Sequence, residues 1–156
     1  MAKSHSYTIT LDNNVSEKEA VQFLLDSEKN FINPDKESRK KIMTFLNIDK
    51  RFIRAFDLIL IPGHTNIETV IKLDNPEDIT LIELKTTKKK LEHNPNGFFF
   101  GATENEFNLA KQFKNRFFFC FVSLHPESLG YKLLSLSELE NRIQSKRIQY
   151  QINLKK

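Results

Sequence analysis

Tryptophan is absent from this chain, and cysteine (1), methionine (2), tyrosine (3) and glycine (4) are all scarce. A lone Cys120 has no partner for an intramolecular disulfide, so a reducing, cytoplasmic setting is the expectation. One cysteine and four scattered histidines (His5, His64, His93, His125) lack the paired spacing of a structural zinc site. No Gly-x-x-x-x-Gly-Lys occurs, which excludes P-loop nucleotide chemistry. No run approaches the roughly 18 apolar residues of a membrane span, and the longest, residues 117–122, has the length of a strand. The first 14 residues carry no apolar run of the signal-peptide kind, so no membrane partner is expected.

What is present is material for a core. Of 156 residues, 39% are hydrophobic and 28% charged, which excludes wholesale disorder. The length fits one domain, 1–156, with a helical N-terminal part (1–49), a core (50–124) and a C-terminal strand and helix extension (125–156). Lys and Arg outnumber Asp and Glu by 24 to 20, a net charge of +4 that permits a nucleic-acid partner without requiring one. Phenylalanine is abundant at 14, and nine of these lie at Phe98, Phe99, Phe100, Phe107, Phe113, Phe117, Phe118, Phe119 and Phe121. That clustering reads as a core pressing a helix onto a sheet, with base stacking by Phe98, Phe99 and Phe100 the disfavoured use.

Along the chain, residues 1–14 read as an extended lead-in with a strand at 6–11. A capping-box pattern at Ser16-Glu17-Lys18-Glu19 opens a helix, broken by Asn33-Pro34-Asp35. A second helix is expected over 36–46, with Ile42, Phe45 and Leu46 inward and Arg39, Lys40 and Lys41 on its other face. Strands are expected at 52–61, 67–73 and 79–84, the first stopped by Pro62-Gly63 and the second by Asp74-Asn75-Pro76. Thr103-Glu104-Asn105-Glu106 is another capping box, opening a helix with Phe107, Ala110 and Phe113 inward. The continuous apolar stretch at 116–124 suits a strand buried on both faces. A short strand at 130–134, a helix at 137–143 and a final strand or tail at 148–154 complete the reading. The fold class is α/β (α+β): a central mixed sheet flanked by helices.

The chemistry concentrates in Ile79-Thr-Leu-Ile-Glu83-Leu-Lys85-Thr-Thr87. Residues two apart in a strand share a face, so Glu83 and Lys85 project together while Leu84 faces the core behind them. Acid-x-Lys occurs once in the sequence, at the end of an apolar strand. A carboxylate there can hold a hard divalent cation, and a lysine can orient water or neutralise an attacked phosphate. A second carboxylate is needed, and Asp57 stands inside Phe56-Asp57-Leu58-Ile59-Leu60-Ile61, where packing gives an acid no reason to be. The plainer reading is a salt bridge on a solvated sheet face.

The order helix, Asp57 strand, Glu83-x-Lys85 strand, helix, strand resembles the PD-(D/E)XK nuclease superfamily, the restriction-endonuclease-like fold. It is closest to small nuclease-like domains of restriction and defence systems. The matching stretches are Ile82-Glu83-Leu84-Lys85-Thr86, Phe98 to Phe100, Thr103-Glu104-Asn105-Glu106-Phe107 and Lys114-Asn115-Arg116-Phe117, within about residues 50–124. Phe56 stands where the family name has proline. The resemblance implies an αβββαβ core. It also implies an Mg²⁺-dependent deoxyribonuclease (Mn²⁺ substituting) that hydrolyses phosphodiester bonds in restriction, defence or DNA repair. It makes Asp57 and Glu83 metal ligands, with the Leu84 backbone carbonyl as a third, and Lys85 the catalytic lysine. DNA is then the partner, with a homodimer or a larger restriction or helicase-type assembly as further partners.

Accessory roles are weighed against simpler ones. Thr103 and Glu106 are explained by the capping box, so a functional Glu106 rests on the resemblance. Glu17 is a possible accessory acid whose simpler reading is a solvated helix face. Lys88, Lys89, Lys90, Arg51 and Arg54 are candidate phosphate contacts, set against an ordinary lysine-rich surface. Cys120 reads as an inert core thiol, and His64 as a loop histidine without special function. The alternative function is a non-catalytic nucleic-acid-binding or protein-interaction subunit on the same fold.

Overall fold

The computed structural model describes the backbone of residues 2–156 and the side chains of residues 15–156. Its first element is a long helix, α1 (Ala2–Ser27). The strand expected at 6–11 is therefore helical backbone. No neighbouring strand pairs with this segment, and a helix satisfies its own N–H and C=O groups where a lone strand cannot. Ser16 does not open the helix but lies buried within it. With Ala20 and Leu24, four and eight residues on, it forms the stripe that meets the sheet.

A two-residue strand, β1 (Phe31–Ile32), precedes α2 (Lys36–Phe45). Asp35 caps α2 by accepting from the Ser38 N–H, and Ile42 and Met43 are its buried residues. The long strand expected over 52–61 shrinks to β2 (Leu58–Leu60). Asp49 caps a 3-10 turn at Lys50–Phe52, and Phe52, Ala55 and Phe56 bury themselves at turn spacing instead of alternating. The strand expected at 67–73 is a helix, α3 (Ile67–Lys72). Asn66 accepts from the Thr69 N–H, and Ile67 and Val70 are buried three residues apart, on one face of a helix where a strand would set them on opposite faces.

The remaining elements follow expectation closely. They are β3 (Thr80–Thr87), α4 (Glu104–Phe113), β4 (Phe117–Ser123), β5 (Gly130–Leu134) and α5 (Leu136–Glu140). On α4 the inward residues are Glu106, Leu109 and Ala110, while Phe107 and Phe113 are only half-buried. Of the final strand or tail expected at 148–154, the structure has the tail: Ile148, Tyr150, Ile152 and Leu154 are all largely exposed and the segment pairs with no strand.

The five strands form one mixed sheet in the order β1-β2-β3-β4-β5, flanked by helices. Only β3 and β4 are parallel, from Leu81 opposite Phe117 to Thr87 opposite Ser123, with α4 as the crossover. β4 explains its continuous apolar sequence. Phe117, Phe119 and Phe121 enter a core shared with α2, α3, α4 and α5, whereas Cys120 and Val122 enter a second core under α1. β3 is split the same way, with Leu81 in the first core and Ile82 and Leu84 in the second. Burial pushes the Cys120 thiol pKa up and leaves it an inert core group. Among the described residues no helix is long and apolar enough to cross a membrane.

Candidate active site

The shortness of β2 creates the site. β2 pairs antiparallel with β3 only from Leu58 opposite Ile82 to Leu60 opposite Thr80. One further rung is made when the Asp57 N–H donates to the Ile82 carbonyl at 2.8 Å. Beyond it β3 continues to Thr87 with β4 on one side and no strand on the other. The Asp57 carboxylate fills that gap, accepting from the Leu84 N–H at 2.8 Å. The N–H and C=O of one strand residue face the same neighbour, and the next residue but one repeats the direction. The Leu84 carbonyl therefore faces the side that Ile82 presents to Asp57, past the end of β2.

Glu83 and Lys85 stand on the opposite sheet face from Leu84, which is buried under α1. Lys85 Nζ donates to Glu106 Oε1 at 2.6 Å and lies 3.4 Å from Glu83 Oε1. Glu106 also completes the capping box of α4, its Oε2 accepting from the Thr103 N–H and hydroxyl while Thr103 Oγ1 accepts from the Glu106 N–H. The same carboxylate thus caps the helix with one oxygen and fixes the lysine with the other. The second Glu83 oxygen, Oε2, is buried without a hydrogen-bond partner.

An unpartnered buried carboxylate oxygen is costly when charged. Burial, together with the nearby Asp57 charge, pushes the Glu83 pKa up to about 10. Asp57 is raised as well, by burial, against the opposing pull of the Leu84 N–H and the Lys85 charge. Burial would also raise Glu106, but its hydrogen bonds from Lys85 and Thr103 hold it below the usual carboxylate range. Two carboxyls resisting ionisation beside one that ionises readily place an excess of acid where a cation would be welcome.

Glu17 is exposed on α1 yet lines the cleft with Asp57, Glu83, Leu84, Lys85, Thr86, Phe99, Phe100 and Gly101, around about 310 Å³. Partial burial and the Asp57 charge raise its pKa. It belongs to the site's surroundings, not to a purely solvated face.

None of the five basic candidates lines this cleft. Arg51 stacks its guanidinium 4.6 Å from the Phe52 ring centroid, and its carbonyl accepts from Asn105 Nδ2. Arg54 is exposed in the turn before Asp57. Lys88, Lys89 and Lys90 are exposed just past β3, with Lys90 paired to Glu127 at 3.2 Å. His64 is held by Asp78 at 3.0 Å, well explained as a structural contact.

Arg39, which the sequence marks only as one of three basic residues on the outer face of α2, turns toward the site. Its guanidinium donates to the carbonyls of Phe56 at 2.6 Å and Asp57 at 2.9 Å and lies over the Phe56 ring, fixing the backbone that aims Asp57. Nothing in its local sequence separates it from Lys40 and Lys41. Phe99 does not join the aromatic core expected from its neighbours: it is 95% exposed at the cleft.

Among the described residues no three Asp, Glu, His or Cys side chains form a ready-made metal cage. A hard cation such as Mg²⁺ keeps several waters and needs only one or two carboxylates from the protein. Asp57, Glu83 and the Leu84 carbonyl are the groups able to meet that need, and the orphaned Glu83 Oε2 is the observation that fits them to it. Comparison with protein-family models, curated proteins and solved structures returns no match.

Proposed function

We propose that the chain is a metal-dependent endonuclease that hydrolyses phosphodiester bonds in DNA, of the PD-(D/E)XK type. The observation that carries this reading is the convergence of Asp57, Glu83 and Lys85 where β2 stops short of β3, with one buried Glu83 oxygen left unpartnered. The sheet also supports it: β1, β2 and β3 pair antiparallel in turn, with α2 and α3 inserted between them in the chain where an uninterrupted αβββαβ order was expected, and α4 crosses over to the parallel β4. A bound Mg²⁺ would supply Lewis-acid stabilisation of charge on the phosphate and lower the pKa of a coordinated water.

The chain's own residues do the rest. Asp57 and Glu83 hold their carboxyls at one point of the β3 edge, Asp57 fixed by the Leu84 N–H and by Arg39 on its backbone. Lys85 is held by Glu106 with its ammonium toward the same opening, where it can orient water and neutralise the pentavalent phosphate. Glu106 is a positioning residue in this scheme, acting through Lys85.

The competing reading is a non-catalytic nucleic-acid-binding subunit. It draws on the 2.6 Å contact that engages Lys85 with Glu106. The test is cleavage of supercoiled plasmid and of single-stranded DNA with Mg²⁺ by wild type, Glu83→Ala and Lys85→Ala. Loss of cleavage in both variants is expected. Equal activity in all three refutes the proposal, and salt-sensitive binding without cleavage by wild type establishes the competing reading.

A further inference from the structure

Phe99 is the most exposed large apolar side chain among the described residues, at 95%. Its neighbours explain why it points outward but not why it is phenylalanine. Phe98 and Phe100 turn inward and meet the Phe121 ring edge-on, at centroid distances of 5.0 and 5.1 Å. Strand-like alternation then drives Phe99 to the other side. The loop presenting it is tied down: Asn94 Nδ2 donates to the Phe121 carbonyl at 2.9 Å, the Phe98 N–H donates to the Pro95 carbonyl, and Leu91 is buried. The ring is thus offered from a held position, and leaving it in water forgoes burial that a polar residue would not lose.

Its place is the rim of the cleft that holds Asp57, Glu83 and Lys85. A flat π-face beside a phosphate-binding centre suits a nucleobase lying flat on it, and stacking of this kind tolerates every base. At about 310 Å³ the cleft is at the small end of ligand cavities, with room for a nucleotide. Resting on the nuclease reading of this cleft, we infer that Phe99 is the stacking platform for one unpaired base next to the scissile phosphate. The substrate class is then DNA with a single-stranded segment.

The absence of tryptophan makes the test direct, because Phe99→Trp becomes the only tryptophan in the protein. Its emission is titrated, in EDTA so that nothing is cut, with a 12-nucleotide thymidine oligomer, a duplex of the same length and an abasic oligomer. Saturable quenching by the single strand, and none by the abasic oligomer or the duplex, is expected. By fluorescence anisotropy, Phe99→Ala should bind the single strand about 5- to 150-fold more weakly than wild type, the range for loss of one stacked base. Its thermal midpoint should be unchanged, since the side chain is exposed. Phe99→Ala binding as well as wild type overturns the inference, as does equal quenching by the abasic oligomer, which would leave phosphate attraction alone. Those failures leave the Glu83→Ala and Lys85→Ala cleavage test untouched. Conversely, base-dependent quenching by a protein that cuts nothing keeps the platform and removes the catalytic reading.

Discussion

Replacing Glu83 with glutamine should stabilise the protein in the absence of divalent cation, by an amount that grows with pH. In the folded chain Glu83 titrates near 10 because of burial and the Asp57 charge, against an ordinary value of 4.5. The folded state therefore binds a proton that the unfolded state releases above 4.5. The sign follows: stability from this group is fully present below pH 4.5 and declines as pH rises toward 10. Each pH unit in that window costs about 1.4 kcal/mol, so at pH 7.5 the wild type carries a penalty of up to about 4 kcal/mol. Glutamine does not ionise and escapes it. The pull of Lys85 toward the ionised carboxylate, from 3.4 Å away, is already contained in that raised value, so the gain for glutamine is up to about 4 kcal/mol. For a chain of this size that is a rise of up to about 8–16 °C in the thermal midpoint at pH 7.5. At pH 5 the gain should fall below about 1 kcal/mol. Thermal unfolding in EDTA at the two pH values, followed by circular dichroism, measures both. A variant no more stable than wild type at pH 7.5, or equally advantaged at pH 5, refutes the reasoning. Repeating the pH 7.5 scan with Mg²⁺ should close the gap from the wild-type side. Cation at a hundred times its dissociation constant adds about 2.7 kcal/mol to the form that binds it.

Two further substitutions check the frame around the site. Thr103→Ala removes the α4 cap and should cost about 1 kcal/mol by urea denaturation. It should spare most DNA cleavage, since Lys85 keeps its 2.6 Å contact with Glu106; loss of cleavage beyond tenfold would show that the cap itself positions the lysine. Phe119→Ala empties a fully buried position between α4 and the sheet. It should cost about 3–5 kcal/mol, and a cost under 1 kcal/mol would contradict the packing described.

How far the fold can be read from sequence depends on whether a local rule decided the segment. Thr103 with Glu106 and the apolar run of 117–122 were decided locally, one by capping and one by burial on both faces, and both stand in the structure. Residues 67–73 were not: Ile67, Val70 and Ile71 fit a strand or a helix, and the Asn66 cap tipped them into α3. Residues 52–56 followed the same course, where an Asp49-capped turn displaced the strand. Residues 148–154 alternate as a strand does, but alternation supplies no partner for the backbone.

Asp57, Glu83 and Lys85 stand out from the sequence alone, because an acid inside an apolar strand and a Glu-x-Lys at a strand end are local departures from packing rules. The mixed α and β character is legible there too. What surrounds these three residues is set by contacts between segments far apart in the chain. Arg39 reaches Asp57 across eighteen residues, and Glu106 reaches Lys85 across twenty-one, contacts that no local pattern encodes. That Phe99 lines the cleft while Arg51, Arg54, Lys88, Lys89 and Lys90 do not follows from where short strands end and loops are tied. Those are consequences of chain packing, and a one-dimensional pattern of charge and apolar spacing does not contain them.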